Sequence, residues 1–145
     1  MKKLILMLML FAPIATFAQK FGHVNAQAVM ESLPEFIKAR AEVEGQAKVY
    51  DNQLKEMQTE IQKKAEEYDK TQATMNDTKR KETEATLQDL YQKFQQAQQD
   101  NAQAIQKLQN EKLQPIVTKL QNAIKNVGKA GGYVYIMDLS SGIPY

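Results

Sequence analysis

The sequence predicts a mainly α protein with a small β body. We expect a long antiparallel helical hairpin, a coiled-coil-like arm, on a short-stranded oligomerisation core. Three observations predict this fold class. Most of the chain before Lys125 is rich in Gln, Lys, Glu and Ala, the composition of solvated helices. A turn signal at Asn76-Asp77-Thr78 divides that composition into two long segments. Short apolar runs at Phe21–Asn25 and Tyr133–Met137 lie at the outer ends of the two segments.

Residues 1–18 have the features of a secretory signal peptide. Lys2 and Lys3 form a positive n-region, and Leu4 to Ile14 form an apolar h-region. Thr16-Phe17-Ala18 supplies the small residues of a cleavage site. The alternative is a retained membrane anchor, but the apolar run is too short for a membrane span. We therefore expect cleavage and export of the mature chain.

Charge and cysteine content exclude several functions. The precursor has 19 basic and 17 acidic residues, and cleavage removes two lysines, so 17 of each remain (19 − 2) and the mature chain is neutral. That balance argues against nucleic-acid binding, which needs a positive surplus. The sequence contains no Cys, so it has neither disulfides nor thiol chemistry. We expect a single domain over residues 19–145.

The two long helices carry narrow apolar seams. Ser32-Leu33-Pro34-Glu35 predicts a helix start, with Ser32 as N-cap and Glu35 completing a capping box. Apolar residues then recur every seven positions, a heptad-like pattern. In the first helix they are Leu54, Ile61, Tyr68 and Met75, with Met57 and Ala65 between them. In the second helix Leu87, Phe94, Asn101 and Leu108 share the spacing, with Tyr91 and Ile105 alongside.

The chain after Pro115 differs from the arms. The seam widens there, with Ile116, Val117, Leu120, Ile124 and Val127. Gly128, Gly131 and Gly132 are helix-stop signals before the strand at Tyr133–Met137. A turn follows at 138–142, and Ile143-Pro144-Tyr145 resembles the start of another strand.

Helix lengths predict that the chain folds back at Asn76. At 1.5 Å per residue, Leu33–Met75 spans roughly 65 Å and Thr78–Val127 roughly 75 Å. A hairpin of two such helices brings the two prolines, and both strands, to one end. We therefore expect an arm over residues 34–114 and a body formed by 19–33 and 115–145.

The body is expected to assemble with further copies of itself. A sheet of two or three strands is marginally stable alone. Its exposed edges and apolar faces need cover, and little else in the chain can provide it. The sequence therefore predicts a homo-oligomer. The residues expected at its core are Phe21, Val24, Tyr133, Val134, Tyr135, Ile136 and Met137.

The order of these segments resembles the Skp/OmpH family of periplasmic chaperones. The resemblance covers the mature chain in architecture and is most specific at Phe21–Asn25 and at "LQPIVTKLQNAIKNVGKAGGYVYIMDLSSG", Leu113–Gly142. It implies a periplasmic homotrimer of β bodies whose arms surround a cavity, where unfolded outer-membrane proteins are held without ATP. Family members are often strongly basic. The neutral charge of this chain gives no support to association with a membrane surface.

Two functions fit the sequence. The first is an ATP-independent holdase that sequesters unfolded outer-membrane proteins, and the alternative is a structural coiled-coil spacer of the cell envelope. The body motif favours the holdase, because a spacer does not require it. Some residues of the arms could contact clients, although seam packing alone explains their spacing. These candidates are Met57, Tyr68, Met75, Tyr91 and Phe94.

Nothing in the sequence supports an enzyme, and no catalytic, cofactor or metal site is expected. His23 is the only His, it lies in a predicted strand, and there is no Cys to partner it. We interpret it as a structural or surface residue. Gly131-Gly132 precedes a strand instead of opening a helix, so it is no phosphate-binding loop.

The signal peptide leads to a prediction about processing. Export should remove residues 1–18 and leave Gln19 at the amino terminus, because Ala18 ends the small-residue cleavage site. N-terminal sequencing and intact mass of the exported protein test this. An exported protein that retains Met1 would contradict it.

Overall fold

The computed structural model describes residues 19–141. Its elements are β1 (Lys20–Val24), α1 (Ala26–Ser32), α2 (Pro34–Thr71), α3 (Asp77–Gly131) and β2 (Tyr133–Asp138), with 3₁₀ helices at Gln72–Thr74 and Leu139–Ser141. The predicted fold class, a long helical hairpin with a small β part, is confirmed. The expected signal peptide and the expected strand start at 143–145 lie outside the described residues.

The two strands form a parallel sheet. Phe21 pairs with Tyr135, Gly22 with Ile136, His23 with Met137 and Val24 with Asp138, and the register shifts between Lys20 and Phe21. Parallel strands cannot be joined by a tight turn and need a long crossover. The helices between β1 and β2 provide it. The two predicted strands therefore exist within one residue of their expected bounds.

The predicted capping box at the start of α2 is wrong. The N-cap is Leu33, in an extended conformation and without a side-chain cap hydrogen bond, and Pro34 opens the helix. Ser32 is the last residue of α1, and its hydroxyl donates to the carbonyl of Val29 at 2.6 Å. Pro34 sets the start of α2 because its fixed φ suits the first helical position and its missing N–H costs nothing there. Ser32 therefore lies one residue too early to cap.

The turn between the long helices follows the prediction closely. Helix α2 ends at Thr71, a 3₁₀ turn covers Gln72–Thr74, and Met75 is extended. Asn76 then caps α3, because its Oδ1 accepts from the backbone N–H of Lys79 at 2.8 Å. Asp77 adds a carboxylate to the first turn, where the helix dipole favours negative charge, and pairs with Arg80.

Helix α3 is longer than expected. It continues through Pro115 and Gly128 and ends at Gly131, four residues beyond the expected end at Val127. Gly132 has φ +67°, the left-handed conformation that terminates many helices and that only glycine adopts easily. Its N–H donates to the carbonyl of Lys129 at 3.2 Å. Of the three glycine stop signals, the last one ends the helix.

Two compact units can be distinguished in the described chain. The sheet unit contains the residues up to Ala26 and those from Asn122 onward, and the hairpin unit is Gln27–Gln121. Helix α3 contributes to both.

Within the hairpin unit, two ion pairs set the antiparallel register of α2 and α3. Lys119 Nζ lies 2.9 Å from the carboxylate of Glu35, and Lys112 Nζ lies 2.6 Å from that of Glu42. Moving seven residues forward on α2 moves the partner seven residues back on α3, as antiparallel helices require. The hydrogen bond from Lys112 lowers the pKa of Glu42. Near the turn, the hydroxyl of Tyr68 on α2 donates to the carboxylate of Glu84 on α3, and this contact follows the same antiparallel order as the two ion pairs.

The hairpin buries few side chains. Ala39, Ile61, Ile116 and Leu120 are the buried apolar residues of the described chain. The predicted seam residues of the arms are half-buried or exposed, apart from Ile61. Stabilisation by apolar burial scales with the area removed from water, at about 25 cal/mol per Å². The arm therefore has a thin apolar seam, as the heptad-like spacing predicted.

Gly45 provides a test of helix stability in the arm. It lies inside α2, and a β-carbon there would meet nothing within 4 Å. Gly45→Ala should raise the free energy of unfolding by about 0.5–1 kcal/mol, because glycine loses more backbone freedom in a helix. Urea unfolding followed by circular dichroism at fixed protein concentration measures the change.

The matched substitution is Gly132→Ala. Its positive φ should make alanine destabilising by about 1–2 kcal/mol. If Gly45→Ala and Gly132→Ala change the free energy of unfolding equally, the backbone conformation of the glycine does not determine the effect of the substitution.

Candidate functional site

The inner face of the sheet packs on helix α3 within the same chain. Gly22 and Ile136 are neighbours across the strands. Gly128 on α3 is buried, and a β-carbon there would lie 3.0 Å from Cδ1 of Ile136. A β-carbon at Gly22 would lie 3.0 Å from the ring of Tyr133 and 3.5 Å from Cγ1 of Ile136. The glycines thus let the strands and the helix approach closely, and Ile136 fills the space between them.

The opposite side of the sheet, here called the outer face, consists of Phe21, His23, Tyr135 and Met137. Paired residues of parallel strands point to the same side, and residues two apart on a strand share a face. The rings of Phe21 and Tyr135 stack, with centroids 6.2 Å apart and planes 7° from parallel. Phe21 is 57% exposed, Tyr135 66% and Met137 44%. The outer face is an apolar surface in contact with solvent.

Polar contacts fix both ends of the sheet. Lys20 Nζ donates to the carbonyl of Gly131 at 3.2 Å and lies 5.3 Å from the centroid of the Tyr133 ring. A cation is favourable there, because the C-terminal end of a helix carries partial negative charge. At the other end, Asp138 Oδ1 accepts from the backbone N–H groups of Ala26 and Ser140 and from the Ser140 hydroxyl. These bonds, chiefly that of the Ser140 hydroxyl, lower the pKa of Asp138.

The seven residues predicted for the oligomerisation body differ in exposure and in their contacts within the chain. Phe21, Tyr135 and Met137 lie on the outer face, and Val134 is also exposed. Ile136 and Val24 are half-buried, and the ring of Tyr133 lies against Gly22 and Gly131. Their role in assembly stays a prediction. The first group is available to another chain, whereas Ile136 and Tyr133 already have contacts within this one.

The sequence indicated that His23 is a structural or surface residue, and the structure places it, exposed, on the outer face. Its register partner is Met137, and its strand neighbour two residues earlier is Phe21. The alternation of the strand would have placed His23 beside Phe21 on the same face. The partner across the sheet could not be predicted, because it depends on parallel pairing and on the register shift after Lys20.

The five candidate client-contact residues lie along the helical hairpin with different exposures. Tyr91 is 50% exposed, while Met57, Tyr68, Met75 and Phe94 are half-buried. The Tyr68 hydroxyl donates to the Glu84 carboxylate, and this bond raises the pKa of Tyr68. The structure brings two of the five together. Tyr68 and Met75 line a recess of about 240 Å³ near the turn, together with Leu87 and several polar residues.

Over residues 19–141, no three of the groups that usually bind metals come close enough to hold an ion. No helix in this part of the chain is long and apolar enough to span a membrane.

The residues that match known proteins include both the sheet and the hairpin. A family model described as "Outer membrane protein (OmpH-like)" matches residues 20–145. The chain is 26% identical over 134 residues to "Chaperone protein Skp" of Yersinia enterocolitica, which covers 92% of this chain and 82% of the relative. It is also 26% identical over 135 residues to "Chaperone protein Skp" of Photorhabdus luminescens, covering 90% and 79%.

The outer face leads to a prediction about assembly. If another copy of the chain covers this face, Tyr135→Asp should dissociate the oligomer, because a buried unpaired charge is costly. Sedimentation velocity at micromolar concentration measures the state. Val49→Asp is the matched control, because Val49 is exposed on α2 and belongs to the hairpin unit. If the Tyr135→Asp variant and the Val49→Asp control both sediment like the parent, the outer face is not an interface between copies.

Proposed function

Because the chain belongs to the OmpH-like family, we propose that it is a periplasmic chaperone, an ATP-independent holdase that sequesters unfolded outer-membrane proteins in a cavity between helical arms. The observation that carries the proposal is the outer face. Phe21, Tyr135 and Met137 form an exposed apolar surface on a two-stranded sheet, whose strands precede and follow the long helices in sequence. A protein that only separates two envelope components has no need of such a surface.

Assembly through the outer face would give the sheet the cover it lacks. Two strands alone are marginally stable. The stacked rings of Phe21 and Tyr135 offer a flat apolar contact on this face. We propose a homotrimer, the state implied by the family resemblance. Each chain then adds one hairpin, so that three arms begin from a common body.

The arms suit the enclosure of clients of different sizes. Helices α2 and α3 have 38 and 55 residues, so they extend about 57 and 83 Å at 1.5 Å per residue. Their thin seam gives each arm little apolar burial to keep it rigid. Arms of this kind can bend or separate at low cost. Weak contacts from several arms add up, because each further contact is made at high effective concentration.

Five residues are proposed to contact clients. Tyr91 is the most accessible of them. Met57, Tyr68, Met75 and Phe94 are half-buried in the seam, so a client would reach them where the arm opens. Methionine and aromatic side chains adapt to varied apolar partners. The strands of unfolded outer-membrane barrels alternate apolar and polar residues and tend to pair with one another, so separating them prevents aggregation.

Client protection tests the proposed function directly. A urea-unfolded outer-membrane barrel protein is diluted into buffer with the purified mature protein, and aggregation is followed by light scattering without nucleotide. The proposal expects a soluble client at a stoichiometric ratio of chaperone trimer to client. A structural spacer would leave aggregation unchanged.

Shortened arms test whether the hairpins form the walls of the cavity. Deleting Glu44–Ile61 from α2 and Gln92–Gln109 from α3 removes 18 residues each (61 − 44 + 1 and 109 − 92 + 1). Eighteen residues are five helical turns, so the faces stay aligned, and each arm loses about 27 Å. The ion pairs of Glu35 and Glu42 remain, as do the turn and the Tyr68–Glu84 bond. The trimer should persist, and protection of large barrels should be lost before that of small ones.

The deletion removes Met57 and Phe94, so it needs a control at full length. Met57→Leu combined with Phe94→Leu keeps both the apolar seam and the arm length. If this variant protects large barrels better than the shortened trimer does, the loss is assigned to arm length, and an equal loss would assign it to the two side chains. Full protection by the shortened trimer would show that the arms are not the binding walls.

A further inference from the structure

The methionine thioethers hold all the sulfur of this chain, because the sequence contains no Cys. Removal of residues 1–18 would take away three of the seven methionines and leave four (7 − 3): Met30, Met57, Met75 and Met137. A peroxide transfers one oxygen atom to a thioether. The sulfur is oxidised to the sulfoxide, and the peroxide is reduced to water. With no thiol to react, two-electron oxidation of the mature chain falls on these four sulfur atoms.

Met137 differs from the other three methionines in its exposure. Met30, Met57 and Met75 belong to the hairpin unit and are half-buried. Met137 belongs to the sheet unit and is 44% exposed. An oxidant must reach the sulfur atom to react with it. We therefore expect Met137 to be oxidised before the others in a chain whose outer face is open.

The outer face is the surface that oxidation of Met137 would change. On β2, Met137 lies two residues after Tyr135, whose ring stacks on that of Phe21. A thioether is apolar and polarizable, so it suits an apolar contact surface. The sulfoxide is polar and chiral, and its oxygen accepts hydrogen bonds from water. One oxygen atom thus gives the face a strongly hydrated group at a position that a second copy of the chain would cover.

We propose that Met137 is a site of reversible oxidation and that its sulfoxide weakens assembly through the outer face. The inference rests on the proposed assembly of the chain through this face. Covering the sulfoxide would remove its hydration, which costs free energy. Oxidation takes place while the face is open, in the dissociated chain, and its product keeps that chain dissociated. Methionine sulfoxide reductases restore the thioether, with two thiols oxidised to a disulfide and the oxygen released as water.

The expected change in assembly is large enough to measure. Burying a polar group whose hydrogen bonds to water are not replaced lowers an association constant by about tenfold. A homotrimer covers three copies of Met137, so the factor enters three times and the constant should fall by about 1,000-fold. Assembly should in turn protect Met137, so its oxidation should slow as the protein concentration rises.

Peroxide treatment at two protein concentrations tests the site. The mature protein, dilute or concentrated, is exposed to hydrogen peroxide in buffer with EDTA, and catalase stops the reaction. Peptide mass mapping follows each methionine over time. In the dilute sample, Met137 should be oxidised before Met30, Met57 and Met75. In the concentrated sample, Met137 should be protected.

Sedimentation equilibrium then tests the effect on assembly, while circular dichroism confirms that the helices persist. The oxidised parent should dissociate, and methionine sulfoxide reductases with dithiothreitol should restore the oligomer. Met137→Leu should stay assembled through the same treatment. Met75→Leu, the matched control, keeps Met137 and should dissociate like the parent. Met137→Gln, which is polar without any oxidant, should be weakened before treatment.

The outcomes separate this inference from the assembly itself. An oligomer that persists with Met137 fully oxidised would overturn the inference and leave the assembly intact. Equal dissociation of the treated parent and Met137→Leu would also overturn it, because oxidation elsewhere would then be responsible. If Met137 in the dilute sample is oxidised after the half-buried methionines, it is not the site. A parent that is monomeric before treatment would overturn the assembly and the inference together.

Discussion

The pairing of β1 with β2 is the contact on which the organisation of the chain depends. It joins the first and last strands of the described residues, and the contact beside it, from Ala26 to Asp138, spans 112 residues of sequence. Closing so long a loop costs conformational entropy and slows folding. The helical hairpin reduces that cost, because α2 and α3 form through local contacts and bring their outer ends close. The sheet can then close over a short distance.

Several otherwise unrelated residues are explained by this pairing. Gly22 and Gly128 leave room for Ile136 between strand and helix. Gly132 takes the positive φ that redirects the chain from α3 into β2. Lys20 and Asp138 then hold opposite ends of the sheet through bonds to backbone groups. Each contact is modest, but together they define a sheet with one side packed and the other free.

The sequence was most informative where a local pattern determines the structure. Composition and heptad spacing predicted the hairpin, and Asn76 marked the turn because its side chain caps a helix in any context. The capping box predicted at Ser32 is wrong because Pro34 favours the first helical position, which makes Leu33 the N-cap in place of Ser32. Helix α3 continues past Gly128, which the sequence had marked as a helix stop. The close packing of Ile136 explains a glycine at this position inside the helix. The outer face was unpredictable in detail, since it depends on a register set by partners far apart in sequence.

The formal neutrality of residues 19–145 conceals an uneven distribution of charge. Helix α2 has seven basic and nine acidic residues, whereas α3 has nine basic and six acidic. The opposite excesses meet in the pairs Glu35–Lys119 and Glu42–Lys112. Such surface pairs contribute little free energy, but they discriminate against other registers of two helices with a thin apolar seam. Charge in this chain therefore serves the pairing of its own helices. Under the proposed function, the capture of clients is left to apolar contact and enclosure.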